Sequence, residues 1–305
     1  MMRTQFALIQ REFWEHRSIY VTPIVIGLVI SLMSITGQVS ISASEHVDTA
    51  ILGMSNVSEE ARATTVSVMM LVVFILFALA AAVLTIFYSL DSLYAERKDK
   101  SILFWRSVPV TDFETVLSKL LVALIVIPLV TFGAVMVTHL LVGVIMSIWL
   151  AIRGGDAWHL IWEAAPLAGN WTAMLAMLLG SALWLSPFVG WFLLVSGYSK
   201  RSPILLAFLP IIVLPLLERS FLGTQLLGNA IFVRSAQNPI FKDADTLSYM
   251  FKDDDLHSLA ESGISLVSIL DIGRFLGSPG LWLGLIVCGL FTTAAIYVRR
   301  YRDES

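Results

Sequence analysis

Apolar residues in this chain come in long unbroken runs, and polar residues gather in the gaps between them. Four runs, at residues 19–35, 66–88, 120–150 and 171–195, carry almost no charge. A fifth begins at Ile204 and a sixth covers residues 281–298. A helix of roughly 20 apolar residues crosses about 30 Å of hydrocarbon, and it satisfies its own backbone groups while doing so. The pattern predicts an all-α polytopic membrane protein, a single transmembrane domain over residues 1–305 with six transmembrane helices.

An even number of spans puts both termini on one side. Basic residues near span ends decide which side, because they are retained in the cytoplasm. One set of segments holds Arg3, Arg11 and Arg17, then Arg97, Lys98, Lys100, Arg106 and Lys119, then Lys200 and Arg201, then Arg299, Arg300 and Arg302. The other set holds Arg62, Arg153, Arg219, Arg234, Lys242, Lys252 and Arg274, most of them in one long loop where charge counts weakly. Both termini are expected to be cytoplasmic. Within residues 1–18, Phe6, Ile9, Phe13 and Trp14 recur at helical spacing among Arg11, Glu12 and Glu15, which predicts an amphipathic interfacial helix. It suits a membrane-surface anchor and a surface shared with a cytoplasmic partner alike. The first apolar run is too long for a signal-peptide core, and the leader before it is acidic as well as basic, so it is expected to be a span.

The outer side is less regular. Residues 204–217 make a helix only about 21 Å long, with Pro210 and Pro215 inside it. Either this helix stops short, or it continues through residues 218–232 with Glu218 and Arg219 near the outer boundary. That pair is a candidate to line a path, against the plainer reading of a snorkelling pair. Residues 218–280 form the outer-face region. Its Asp253, Asp254 and Asp255 lack the glycine and terminal glutamate of a calcium loop and suit a helix start. Residues 264–280 are too apolar for a free loop and predict a short re-entrant helix before the last span, with Asp271 and Arg274 paired on its face. Gly280 and Gly284 form a G-x-x-x-G, which permits close helix packing.

Composition narrows the chemistry. The chain is 57% hydrophobic and 14% charged, against roughly 25% charged in soluble domains. It holds no phosphate-binding G-x-x-x-x-G-K-[ST] loop, no H-E-x-x-H and no G-x-S-x-G. No enzymatic activity is expected in the chain itself, and any ATP hydrolysis belongs to another chain. A single cysteine, Cys288, excludes an internal disulfide and a cysteine-rich metal site, and no metal site is expected. The net charge of −3 gives no ground for a nucleic-acid partner, and none is expected. His139 is the main ionisable group inside the clear spans. It is a candidate path-lining residue, against a neutral histidine hydrogen-bonded within the bundle. The sequons at Asn56 and Asn170 matter only on a eukaryotic secretory route.

The densest charge lies between the second and third runs, at residues 89–119. A charged helix end, Glu96 to Lys100, is followed by Ser101 and the apolar group Ile102, Leu103, Phe104 and Trp105. Pro109 stops any helix there. Thr111 and Glu114 form a capping box that starts a new helix running into the third span. A short helix with large apolar side chains between two spans suits docking into a groove on a cytoplasmic partner, or dipping into the headgroup layer.

This stretch resembles the cytoplasmic loop of ABC-2 type permeases, the membrane subunits of one class of ATP-binding cassette exporter. Glu96, Arg97, Lys98 and Asp99 match the charged opening of that loop. Ser101, Ile102 and Leu103 stand near its Thr-Leu, Pro109, Val110 and Thr111 match its turn, and Lys119 and Leu120 match its approach to the next span. Lys100 departs from the pattern, where glycine is usual. The resemblance extends to the layout of an interfacial helix, six spans and re-entrant helices before the last. It implies a cytoplasmic coupling loop over residues 89–119 that seats, with the interfacial helix, on a separate ATP-binding subunit, two copies of which bind ATP and Mg. It also implies a second permease copy or paralogue and a multi-pass location in a bacterial inner membrane. Ile102, Leu103, Phe104 and Trp105 would dock, while Glu96 and Arg97 hold the loop to its neighbours. The expected function is that of the permease subunit of an ABC exporter. The alternatives are an ATP-driven maturation or extraction complex acting on a periplasmic client, and a stand-alone secondary transporter.

Overall fold

The computed structural model describes residues 2–42, 58–100, 110–163, 165–242 and 265–301. The described residues are almost wholly helical, with no strand among them and one isolated antiparallel bridge, Phe241 to Leu270. Six helical segments are long and apolar enough to cross a membrane. The chain is therefore a multi-pass α-helical protein of the kind the apolar runs predict.

Helix α1, Met2–Glu15, turns at His16 and Arg17 into α2, Ser18–Ser42. Helix α3, Glu59–Lys98, is one uninterrupted helix of 40 residues. At about 60 Å it is roughly twice the hydrocarbon thickness, so it must project beyond the membrane. Ser58 caps its start by accepting from the Ala61 N–H. Helix α4, Asp112–Leu121, opens on the predicted capping box, with Thr111 and Glu114 bonded reciprocally. It passes through a π-helical turn, Val122–Val126, into α5, Ile127–Ile152. The cause is Pro128, which has no N–H to close the helical bond onto Leu124, so the extra residue of a π turn absorbs the mismatch.

The fourth run departs from the single span expected over residues 171–195. It is two helices, α6, Leu167–Trp184, and α7, Ser186–Tyr198, broken at Leu185. Pro187 explains the break, because its ring opposes the carbonyl of Leu183. Helix α8, Pro203–Leu217, ends in a π turn, Glu218–Leu222, and Gly223 terminates it in the left-handed conformation at φ 65°. The outcome lies between the two courses open to the fifth run: the helix carries Glu218 and Arg219 in its last turn and ends at Gly223, short of residue 232. A separate helix, α9, Leu226–Ala236, then folds back so that Gly228 lies near the Pro215 ring. A short helix, α10, Ile272–Gly277, and the last long helix, α11, Pro279–Tyr301, follow.

Packing divides the bundle into two main apolar layers. Around one half, Phe74, Phe77, Met174, Met177, Leu266, Phe275 and Leu281 are buried together. Around the other, Ile19, Leu84, Tyr88, Val122, Ile127 and Leu193 are buried. Residues 265–277 belong to the first layer, so the apolar stretch before the last span packs into the protein as a short inserted element. Its face differs from expectation. Asp271 caps α10 by accepting from the Arg274 backbone N–H at 2.8 Å, while the Arg274 guanidinium donates to the Lys242 carbonyl. The expected ion pair is replaced because a helix start offers free N–H groups closer to hand. Leu28, Leu32, Leu76, Leu79, Leu205, Ile212, Leu283 and Leu290 face outward, as side chains in contact with lipid tails do.

Candidate functional site

The loop at residues 101–109 lies outside the described residues, and with it Ser101, Ile102, Leu103, Phe104, Trp105 and Pro109. Its two roots are described, and they meet in a buried cluster of charge. Glu96, on the last turn of α3, is the centre. Its carboxylate takes Arg11 at 2.8 Å, Lys119 at 3.1 Å and Arg299. Lys119, on α4, is fully buried and also bonds Glu12 at 2.8 Å. Glu12 in turn accepts from the Tyr88 hydroxyl at 2.8 Å. Arg299, near the end of α11, reaches Asp112 on the first turn of α4 at 2.9 Å. Arg11 closes the rim through Glu15.

Four elements from distant parts of the sequence are thereby joined: α1, the end of α3, the start of α4 and the end of α11. Buried charges of one sign are costly, so their opposites must be within reach and well oriented. Here each buried carboxylate has at least one cation, and Glu96 has three. Beside the cluster, His16 lies 3.8 Å from Glu12 and edge-on to the Tyr88 ring. Burial pushes its imidazole below the usual histidine range, against the pull of Glu12. Glu12, Glu15 and His16 bring possible metal-ligand atoms within 4.8 Å of one another, yet the Glu12 oxygens are already held by Lys119 and Tyr88.

The remaining loop residues lock the root to the fourth run. Arg97 donates to the carbonyls of Ser196 and Ser199, both at 2.7 Å. The Ser196 hydroxyl accepts from the backbone of Leu93 and Tyr94. Asp99 is exposed and closes α3 through its backbone N–H. Lys100 follows with φ 57°, the left-handed conformation in which glycine is favoured at helix ends.

The interfacial helix is placed differently from the expected single apolar face. Leu8 and Glu12 are buried, Ile9 and Phe13 pack at the edge of the inner layer, and Phe6 and Trp14 are about 70% exposed. Glu12 takes the bundle-facing position because Lys119 waits there.

His139 is buried, with Nδ1 accepting from the Trp171 indole at 3.3 Å. That leaves Nε2 as the donor to the Met70 carbonyl at 3.1 Å. Both ring nitrogens are used between helices, and His139 does not line the bundle cavity described next. Glu218 is also absent from that cavity. Its carboxylate accepts from Thr224 and from the Leu226 and Leu227 N–H groups, at 2.7, 2.6 and 2.8 Å, and so caps α9. Arg219 is exposed. The Gly280–Gly284 face receives a side chain rather than another helix backbone. Arg234 of α9 lies against Gly284, and the Trp184 ring lies against Gly280. The close helix approach occurs elsewhere, where Gly190 of α7 faces the Cys288 backbone of α11.

The bundle also forms an apolar cavity of about 610 Å3, partly open to its surroundings. Phe74, Ala82, Leu185, Phe208 and Ile211 contribute to its walls, and Ala123, Leu124 and Pro128 bring the π turn into it. Sequence reasoning missed both the cavity and the charge cluster. In the sequence Glu12 stands only in the polar part of an amphipathic helix, Lys119 as a basic residue at a span start that matches the ABC-2 loop pattern, and Arg299 only as a marker of orientation. The available signal was a lysine at the apolar end of a capped helix and a glutamate inside an amphipathic face, each lacking a local partner. No family model, curated protein or solved structure matches the chain.

Proposed function

We propose that this chain is the membrane subunit of an ATP-driven permease of the ABC-2 kind, an exporter in a bacterial inner membrane. The observation that carries this reading is the buried charge cluster at the roots of the 101–109 loop. A loop that couples a cytoplasmic motor to membrane helices needs stiff roots, since force on a slack loop moves only the loop. Glu96 and Lys119 hold the two roots to each other, to α1 and to α11. Displacement of the loop would then move α3, α4 and α11 together as a rigid body. Helices α3 and α4, through the π turn, also wall the apolar cavity, which connects the loop to a space that changes shape when they move.

In this reading Ile102, Leu103, Phe104 and Trp105 dock on an ATP-binding subunit, and α1 shares the contact through its exposed Phe6 and Trp14. A second permease copy or paralogue completes the path. ATP and Mg are bound by the partner subunits, and this chain supplies the moving walls. The test is purification of the tagged chain from its native cells in gentle detergent, with mass spectrometry of what accompanies it. An ATP-binding cassette subunit is expected, and its loss in Trp105→Asp with membrane insertion unchanged supports the docking role. A chain that purifies with no ATPase overturns the reading and favours a stand-alone transporter.

A further inference from the structure

The apolar cavity shares a wall with a second cavity of opposite character. This one, about 630 Å3, is lined by Gln237, Asn238, Lys242, Arg274 and Ser278, with Trp184 and Gly280 at its base. Both volumes fall in the range of ligand cavities, about 300–1,000 Å3. Phe241 lines both. Beside it, Asn238 of the polar cavity donates to Ser181 of the apolar one at 3.1 Å. An apolar cavity thus lies beside a more polar one whose charged lining, among the described residues, is Lys242 and Arg274.

A third cation stands behind the polar cavity. Arg234 lies 4.0 Å over the Trp184 ring and donates to the Gly280 carbonyl at 2.6 Å. Its Nε and Nη2 are buried and have no hydrogen-bond partner, and burial lowers its pKa. Trp184 and Gly280, the two groups that hold it, are themselves in the cavity wall. Asp271, three residues before Arg274, is engaged with the Arg274 backbone. Two cations, Lys242 and Arg274, therefore line this space and Arg234 lies behind its wall, with no acidic side chain in the described lining. Such an arrangement favours an anion.

We propose that the paired cavities bind one amphiphilic anion, with its hydrocarbon chain in the apolar chamber and its anionic head against Lys242 and Arg274. Arg234 reinforces the field from behind the wall. The head groups of anionic phospholipids and of free fatty-acid anions share this chemistry. The site belongs to this chain alone and stands whether or not an ATPase partners it.

The test uses the purified full-length chain, stripped of lipid, with native mass spectrometry and thermal unfolding read together. Phosphatidylglycerol, phosphatidylcholine of the same chain length, oleate and inorganic phosphate are titrated separately. Phosphatidylglycerol is expected to bind about tenfold or more tighter than phosphatidylcholine, as one charge-assisted contact supplies. The double variant K242Q/R274Q abolishes that preference, and K242R/R274K keeps it. Ala82→Phe, which fills the apolar chamber, weakens phosphatidylglycerol and oleate alike. Phosphatidylglycerol above oleate identifies a phospholipid site, and oleate equal to or above it identifies a single-chain anion; both support the proposal. Equal affinity for the two phospholipids in the unaltered chain overturns it, as does phosphate binding as tightly as either amphiphile. If K242Q/R274Q does not fold, the lipid series on the unaltered chain still decides.

Discussion

Lys119 is the residue on which the charge cluster most depends. It is fully buried and is shared by Glu12 and Glu96. Replacing it with Met leaves two buried carboxylates with one fewer cation, and breaking such a pair costs about 3–5 kcal/mol. Lys119→Met is expected to lower the thermal midpoint in detergent sharply, and adding Glu12→Gln should restore part of the loss. A double variant no better than the single would show that the two groups do not act as a pair. His16 makes the same corner sensitive to pH. Burial holds its folded pKa below the ordinary histidine value of about 6.5, so the unfolded chain binds the proton more readily. Stability from this group is full above about pH 6.5 and is lost as pH falls toward the folded value. His16→Gln should therefore lose less stability than the unaltered chain between about pH 7.5 and 5.5, measured by thermal unfolding at each pH. An equal loss in both would remove His16 from the account. Neither role could be read from the neighbouring sequence, since Glu12 and Lys119 are 107 residues apart.

Among the elements, α7 and α11 make the closest approach. A Cβ on Gly190 would stand 3.0 Å from the Cys288 carbonyl oxygen and 3.1 Å from its Cα. These are backbone atoms and cannot turn aside. Gly190→Leu is expected to separate the two helices and cost about 1–3 kcal/mol or more, seen as a lower midpoint and faster amide exchange in residues 279–301. Unchanged exchange there would contradict the packing. The sequence pointed to Gly280 and Gly284 for such a contact, because their spacing is legible and that of Gly190 is not. The spacing shows that a groove exists, and the groove holds the Arg234 side chain. The capping box at Thr111, by contrast, was legible in full, since every group in it lies within four residues. Lys100 was noticed as a departure, and its left-handed backbone shows that the helix end has the geometry glycine favours without having glycine.

At the scale of the molecule, the elements nearest the two chain ends meet through Glu12, Lys119, Glu96 and Arg299. The basic residues near the span ends predict that this side is cytoplasmic. In a Cys288→Ala background, Glu60→Cys should react with a membrane-impermeant thiol reagent added to intact cells, and Lys200→Cys should react only after lysis. The reverse pattern would invert the protein in the membrane. If this orientation holds, the loop at residues 101–109 is expected on the side where ATP is present.

The sequence by itself determined the class of protein, the six helices long and apolar enough to cross a membrane, the start of α4 and the weakness of the fifth span. Each of these depends on hydrophobic length, proline or local capping, which act between neighbours along the chain. Tertiary structure decided the hairpin of α8 and α9, the burial of Glu12 and Lys119, and the two adjoining cavities. Those depend on which charges and surfaces meet across the bundle. A buried carboxylate is tolerable only beside its cation, and a cavity exists only between helices that are already packed.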